Sequence, residues 1–136
     1  ALIHSYEDVL DMLRREIRSS TDPDIEQDEI AAILLKMGHL YDIVENFDRS
    51  VRCFEKALKF RLTSGDQVKA GQVLNVMGIS YAKRRKFGEA MTSFEQALAL
   101  RKSAFGEIHS DIAETLHNMG NCAAKSGDLN EAREYY

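Results

Sequence analysis

The most constraining feature of this chain is a glycine that recurs at a nearly fixed interval. Gly38, Gly78 and Gly120 lie 40 and 42 residues apart, each within an apolar segment. Twelve residues after each glycine stands a small residue, and four residues further an aromatic one: Ser50, Ala90 and Ala132, then Phe54, Phe94 and Tyr136. A fixed period of this length indicates one supersecondary unit copied along the chain. The protein is therefore expected to be a stack of similar units.

Apolar residues within each unit recur at the spacing of an α-helix, and no segment shows the alternation of a strand. In the middle unit, Leu74, Met77 and Tyr81 follow the i, i+3, i+7 pattern of an amphipathic helix. The whole pattern predicts helices over 3–18, 27–44, 47–63, 67–84, 87–104, 110–126 and 129–136. Ser110 is expected to cap the helix that follows it, because a serine hydroxyl can accept a hydrogen bond from a free N–H of the first turn.

The 136 residues are expected to form a single array that begins and ends within repeats. The predicted segments are the second helix of a preceding repeat at 1–19, an acidic linker at 20–27, and repeats at 28–64, 66–105 and 108–136, the last incomplete. The linker is placed there because the spacing between aromatic residues is longer at this point and Pro23 interrupts the pattern. Helical periodicity already in the first residues suggests a piece of a longer protein.

The small residues predict how the two helices of a unit approach each other. Two antiparallel helices joined by a short turn come close only where side chains are small. The expected facing pairs are Gly38 with Ser50, Gly78 with Ala90, and Gly120 with Ala132. The aromatic residue lies one turn further along the same face. It is expected to fill the space between one helix pair and the next.

Composition excludes several classes of function. A net charge of −4 disfavours broad binding to nucleic acid, which needs clustered positive charge. No run reaches the ~18 apolar residues of a membrane span. Cys53 and Cys122 lie in apolar helical segments and are expected to be buried, reduced thiols, which favours a cytoplasmic location. The basic run at 83–86 is interpreted as an exposed turn.

The repeated frame L-x-x-(M/L)-G-x-x-Y…A-x-x-x-F-x-x-A resembles the tetratricopeptide repeat. In the middle unit the matching positions are Tyr81, Ala90, Phe94 and Ala97. The first and last repeats depart from the frame at Ser50 and Ala123. The segment HSDIAETLHNMG is similar to repeats of kinesin light chain, and SGDQVKAGQVLNVMG to those of Pins-type adaptors. The resemblance implies an all-α, right-handed superhelical solenoid of antiparallel helix pairs.

The resemblance also implies a noncatalytic scaffold or adaptor that binds a peptide or helix of a partner protein in a concave groove. Carried over by position, the groove residues would be Leu35, His39, Asp42, Asn75, Ile79, Lys83, His117, Asn118, Asn121 and Lys125. These positions would also fit a plain solvated helix face. Lys83 and Lys125 favour a partner with acidic residues. The family's carboxylate clamp does not transfer, because this chain has Leu35 and His39 where that clamp has lysine and asparagine.

No arrangement of residues predicts catalysis, a metal site or a cofactor. The four histidines lack the i, i+4 pairing of a zinc-binding helix. His117 and Cys122 are five residues apart and point in different directions on a helix. The alternative to partner binding is a structural spacer or self-association segment of a larger protein. Uncapped terminal repeats would leave apolar faces exposed and favour homo-oligomers.

Overall fold

The computed structural model of the chain describes residues 23–106 and 109–127, together with Asp8, Asp11, Met12 and Arg15. The helices of the described part are α1 (Pro23–Ile43), α2 (Phe47–Thr63), α3 (Gln67–Lys83), α4 (Phe87–Phe105) and α5 (Ser110–Ser126). This part of the chain contains no β-strand. The chain forms two compact units, residues 1–65 with α1 and α2, and residues 66–136 with α3, α4 and α5.

The helix bounds agree with the sequence prediction except at the start of α1. Asp8, Asp11, Met12 and Arg15 are helical, within the predicted helix 3–18. The predicted helix 129–136 lies outside the described residues. α1 begins at Pro23, so residues 23–27 of the predicted linker are helical. A proline at the first helical position removes no hydrogen bond and already has a helical φ, so here it begins the helix rather than breaking it.

The N-terminus of α5 is capped by a different residue from the one predicted. The helix begins at Ser110, and His109 has the extended backbone of a capping residue. The Asp111 N–H donates to His109 Nδ1 at 3.1 Å. The expectation that Ser110 is the cap is therefore wrong by one residue, because an imidazole nitrogen supplies the acceptor that a serine hydroxyl was expected to supply.

In the first unit, α1 and α2 form an antiparallel pair that is closest at Gly38. Arg61 pairs with Asp28 at the end of the helices away from the turn. A Cβ at Gly38 would lie 2.5 Å from Cε1 of Phe54, so no side chain fits between the helices there. The Ser50 hydroxyl lies 3.0 Å from the Gly38 carbonyl oxygen. The predicted approach of Gly38 and Ser50 is confirmed.

In the second unit, the equivalent close approach is at Gly78 of α3. A Cβ there would lie 2.5 Å from Cε1 of Phe94, so the phenyl ring fills the space beside the glycine, as Phe54 does at Gly38. The predicted facing of Gly78 and Ala90 stays a prediction. Phe94 also belongs to a buried cluster with Ala90, Met119 and Cys122. The ring therefore packs on α5 as well, as expected for an aromatic residue between consecutive helix pairs. The predicted pair of Gly120 and Ala132 lies partly outside the described residues.

The departure from the repeat frame at Ser50 has a structural explanation. The Ser50 hydroxyl is buried and lies 2.6 Å from Oδ1 of Asp42 and 3.0 Å from the Gly38 carbonyl. Its single proton can be donated to one of these acceptors. Forty residues later the same two positions hold Ala82 and Ala90. Asp42 and Ser50 therefore occur together in one repeat, and alanines stand at both positions in the next, because a buried hydroxyl needs a hydrogen-bond partner.

The turns after α1 and α3 each contain a left-handed residue that is not glycine. Glu45 and Arg85 both have φ of 60°, whereas Gly127 at the equivalent position has φ of 96°. A left-handed conformation costs an L-residue about 1–2 kcal/mol. The short return from one helix to the next imposes this conformation whichever residue is present. We expect Glu45→Gly to raise the free energy of unfolding by about 0.5–1 kcal/mol, after the entropy that glycine adds to the unfolded chain.

Urea unfolding of the variant measures this gain. The matched control is Asn46→Gly, because Asn46 is the exposed next residue with φ of −91°. Glycine there relieves no strain and adds unfolded-state entropy, so the control is expected to be slightly destabilised. Equal effects of the two glycines would contradict the assignment of strain to Glu45.

Candidate functional site

A cleft lies between α3 and α5 in the second unit. Asn75 of α3 contacts Glu114, Thr115 and Asn118 of α5. Further along both helices, Lys83 and Lys125 line the same cleft, so the two helices run parallel. α4 packs against both helices and contributes Phe94 to the cleft. The cleft has a volume of about 140 Å³ and is lined by Ile79, Ala82, Lys83, Phe94, Asn118, Asn121, Cys122 and Lys125.

The floor of the cleft is apolar and well packed. Phe94 and Cys122 are each 1% exposed and belong to the same buried cluster, and Ile79 and Ala82 pack against it. The Cys122 thiol donates a weak hydrogen bond to the Phe87 carbonyl over 3.8 Å. Side chains held in this way cannot rearrange freely, so the cleft has a defined shape before any partner enters.

The rim of the cleft is polar and carries positive charge at one end. Asn118 and Asn121 are half-buried, whereas Lys83 and Lys125 are exposed. Both lysines belong to the last turns of their parallel helices, so their charges lie at the same end of the cleft. Among the described residues, neither lysine takes part in an ion pair. The cleft therefore combines an apolar floor, two amides and two ammonium groups.

The structure brings together five of the ten residues predicted for the groove, all in the second unit: Ile79, Lys83, Asn118, Asn121 and Lys125. His117 is exposed beside them on α5. Asn75 is only 3% exposed, and its amide bonds to α5 rather than facing solvent. Because Asn75 is buried, it supports the cleft from behind instead of lining it. The binding role of all these residues stays a prediction.

The three predicted residues of the first unit have their own contacts within that unit. Leu35 is half-buried in α1. The exposed His39 ring meets Phe54 edge-on, with ring centroids 5.5 Å apart. Asp42 lies beside the Ser50 hydroxyl. These contacts leave a binding role for the three residues untested.

A buried hydrogen-bond network behind the cleft was not predicted. Arg101 of α4 is 3% exposed, and its guanidinium donates to Thr115 Oγ1 and to the Asp111 carbonyl, both at 2.8 Å. The same group lies 3.4 Å from the Glu114 carboxylate. The sequence does contain a signal for this network. Thr115 is a polar residue on the face of α5 that otherwise carries Ile112, Met119 and Cys122.

The described residues contain no group of three histidine, cysteine or carboxylate side chains placed to hold a metal ion. Cys53 and Cys122 are both buried, as expected, and not disulfide-bonded. No helix in the described part is sufficiently long and apolar to cross a membrane. The basic run forms the turn between α3 and α4, where Arg84 and Arg85 lie over the rings of Tyr81 and Phe87.

Known proteins resemble this chain over most of its length. Kinesin light chain-related protein 2 of Arabidopsis thaliana is 29% identical over 135 residues, which is 97% of this chain and 20% of that protein. The peroxisomal targeting signal receptor of Candida glabrata is 30% identical over 102 residues, 75% of this chain and 15% of the receptor. The receptor of Saccharomyces cerevisiae is 29% identical over 82% of this chain and 16% of its own length. The chain thus spans a fifth or less of each of these relatives.

Two solved structures have a fold similar to that of this chain. The crystal structure of BtubC (BKLC) from P. vanneervenii superposes with a TM-score of 0.80, covering 97% of this chain and 54% of that one at 20% identity. The N-terminal domain of stress-induced protein-1 (STI-1) from C. elegans superposes with a TM-score of 0.68, covering 85% of this chain and 83% of that one at 18% identity. These similarities show the fold, an all-α tetratricopeptide solenoid.

The family assignment rests on the sequence as well as the fold. The family model described as tetratricopeptide repeat matches residues 29–103 and 70–136, which together cover well over half of the chain. The repeated glycine and aromatic positions that suggested the resemblance lie within the matched residues. The chain therefore belongs to the tetratricopeptide repeat family, whose members are typically scaffolds for protein–protein interaction.

Proposed function

We propose that this chain is a noncatalytic scaffold and that the cleft between α3 and α5 binds one side chain of a partner peptide or helix. The observation that carries the proposal is the cleft itself, with its apolar floor, amide rim and paired lysines at one end. Two of the similar proteins are named as receptors for a targeting signal, which agrees with recognition of a protein segment. A cytoplasmic location remains part of the proposal.

The size of the cleft favours a side chain over a small-molecule cofactor. Sites for small molecules commonly enclose about 300–1,000 Å³. The cleft encloses about 140 Å³. An apolar cavity of about this size holds a single benzene ring, so one aliphatic or aromatic side chain fits. Burying such a side chain on Phe94 and Ile79 would contribute about 1.5–3 kcal/mol before the costs of association.

The rim favours a segment of protein with acidic residues next to the inserted side chain. The amides of Asn118 and Asn121 are groups of the kind that pair with a peptide backbone, whose N–H and C=O groups each need a hydrogen-bond partner. The ammonium groups of Lys83 and Lys125 attract carboxylates at their end of the cleft. The chain as a whole is acidic, with a net charge of −4, so this attraction is local to the cleft.

Three fluorescein-labelled pentapeptides, EELEE, EESEE and KKLKK, test the two requirements separately by fluorescence polarisation. We expect EELEE to bind about tenfold or more tightly than either control peptide, because one lacks the apolar side chain and the other the acidic residues. The affinity should fall as salt is added, since the lysines are exposed. Equal affinities for EELEE and KKLKK would overturn the charge argument.

The double variant Lys83→Glu/Lys125→Glu should weaken EELEE binding by about tenfold or more. The matched control is Lys56→Glu/Lys59→Glu, because these exposed lysines of α2 change the net charge of the chain by the same amount away from the cleft. Melting temperatures of both should stay near that of the unmodified chain. An equal loss of affinity in the control would show that overall charge, not the cleft, attracts the peptide.

A further inference from the structure

Asn118 at the rim of the cleft is held by a residue that is itself buried. The Asn118 Nδ2 group donates to Oδ1 of Asn75 over 3.2 Å. Asn75 is 3% exposed, and its own Nδ2 donates to the Glu114 carboxylate at 2.9 Å. A second bond to Asn75 Oδ1 comes from the hydroxyl of Thr115, at 3.2 Å. One buried amide therefore links α3 to three side chains of α5.

The directions of the bonds in this network follow from Arg101, which can only donate, and from Glu114, which accepts. A guanidinium is always charged and can only donate, so the Thr115 oxygen must accept from it. The single proton of Thr115 is then left for Asn75, which must present its oxygen to receive it. The Glu114 carboxylate accepts from Asn75, which fixes the nitrogen of Asn75 on the opposite side. Asn118 can meet the Asn75 oxygen only with its own NH₂ group.

We infer that Asn75 is a positioning residue for the cleft, which orients Asn118 so that its Oδ1 oxygen accepts a main-chain N–H of the bound segment. This inference rests on the proposed function of the cleft. Asn118 lines the cleft, and its NH₂ group is held by Asn75, so Oδ1 is the acceptor that the side chain offers there. Donors are supplied at the other end by Lys83 and Lys125. The cleft thus has an acceptor end and a donor end, and it selects the direction in which a segment lies.

Side-chain amide exchange in the ¹⁵N-labelled chain tests the positioning without any ligand. The Asn118 NH₂ protons should exchange with water on the order of tenfold more slowly than those of Asn46, an exposed residue without a side-chain capping bond. In Asn75→Ala, the Asn118 rate should rise towards the Asn46 rate. Asn75→Leu, which keeps about the volume of the buried side chain but accepts no hydrogen bond, serves as a second variant should Asn75→Ala fold poorly, and it should raise the Asn118 rate in the same way. Equal rates for Asn118 and Asn46 in the unmodified chain would overturn the inference.

A double-mutant cycle with labelled EELEE tests whether positioning matters for binding. Asn75→Ala should weaken EELEE binding by about fivefold or more in the unmodified background, but by less than about twofold when Asn118 is already alanine. A merely structural role would give the same loss in both backgrounds and would overturn the inference. Failure of the unmodified chain to prefer EELEE over KKLKK would instead refute the proposed function, while the exchange rates still decide the orientation of Asn118.

Discussion

Gly78→Leu is expected to lower the free energy of unfolding by about 3 kcal/mol, the largest effect among the substitutions considered. A Cβ at this position would lie 2.5 Å from the Phe94 ring, whereas carbon atoms pack at about 3.5–4.0 Å. Phe94 cannot move aside easily, because it is 1% exposed and packs on Met119 and Cys122 of α5. Gly78→Ala should cost less, about 1–2 kcal/mol, since alanine recovers some helix propensity. Urea unfolding followed by circular dichroism measures both.

Gly88→Ala is the matched control for this prediction. Gly88 lies in the first turn of α4, is exposed, and has no described atom within 4 Å of the position of an added Cβ. The same substitution there gains helix propensity without overlap and should stabilise the chain by about 0.5–1 kcal/mol. A second variant, Gly78→Ala in a Phe94→Leu background, should lose less stability than Gly78→Ala alone, because the smaller side chain leaves room. Destabilisation by alanine at Gly78 together with stabilisation at Gly88 would support the contact, whereas stabilisation at both sites would refute it.

The helices were predictable because turn residues interrupt a strong helical pattern at regular places. The bounds of α2 to α5 agree with the prediction to within a residue. The start of α1 could not be predicted in the same way, because a proline is both a helix breaker and a good first residue, and Pro23 acts here as the second. Local sequence also does not predict the left-handed backbone of Glu45 and Arg85, since neither residue favours that conformation. The glycine at the equivalent position 127 was the available signal.

The polar rim of the candidate site could be predicted from the sequence, but the buried hydrogen bonds behind the rim could not. Helical spacing placed Ile79, Asn118 and Asn121 on faces away from the core stripe, and the structure brings them to one cleft. The same reasoning assigned Asn75 to the surface, because an amide is more often exposed than buried. Its burial depends on partners from another helix, Thr115 and Glu114, that spacing within one helix cannot reveal. The repeat pattern therefore predicts which residues share a face, whereas tertiary hydrogen bonds decide which of them are accessible.

Arg101→Leu is expected to lower the free energy of unfolding by about 2 kcal/mol, the second largest effect. The Arg101 guanidinium is the donor for the Asp111 carbonyl and the Thr115 hydroxyl, and hydrogen bonds to charged groups contribute about 1.5–3 kcal/mol each. Thr115 is fully buried, so water cannot replace the lost donor. The expected loss is smaller than the contribution of two full hydrogen bonds for two reasons. Leucine keeps the apolar contact of the arginine stem beside Gly71. The Asp111 carbonyl lies in the first turn of α5, where a carbonyl also accepts a hydrogen bond within the helix.

Arg61→Leu is the matched comparison, because Arg61 occupies the equivalent position forty residues earlier and is also buried. Its guanidinium pairs with Asp28, a carboxylate that is 55% exposed, so water can hydrate that acceptor when the arginine is removed. We therefore expect urea unfolding to show a loss at Arg61 of less than about half that at Arg101. Arg101→Leu should also speed exchange of the Asn118 side-chain amide, since the network that fixes its orientation begins at the guanidinium. Losses of equal size at the two arginines, with slow exchange at Asn118 retained, would mean that their buried stems, and not the network behind the cleft, stabilise the helices.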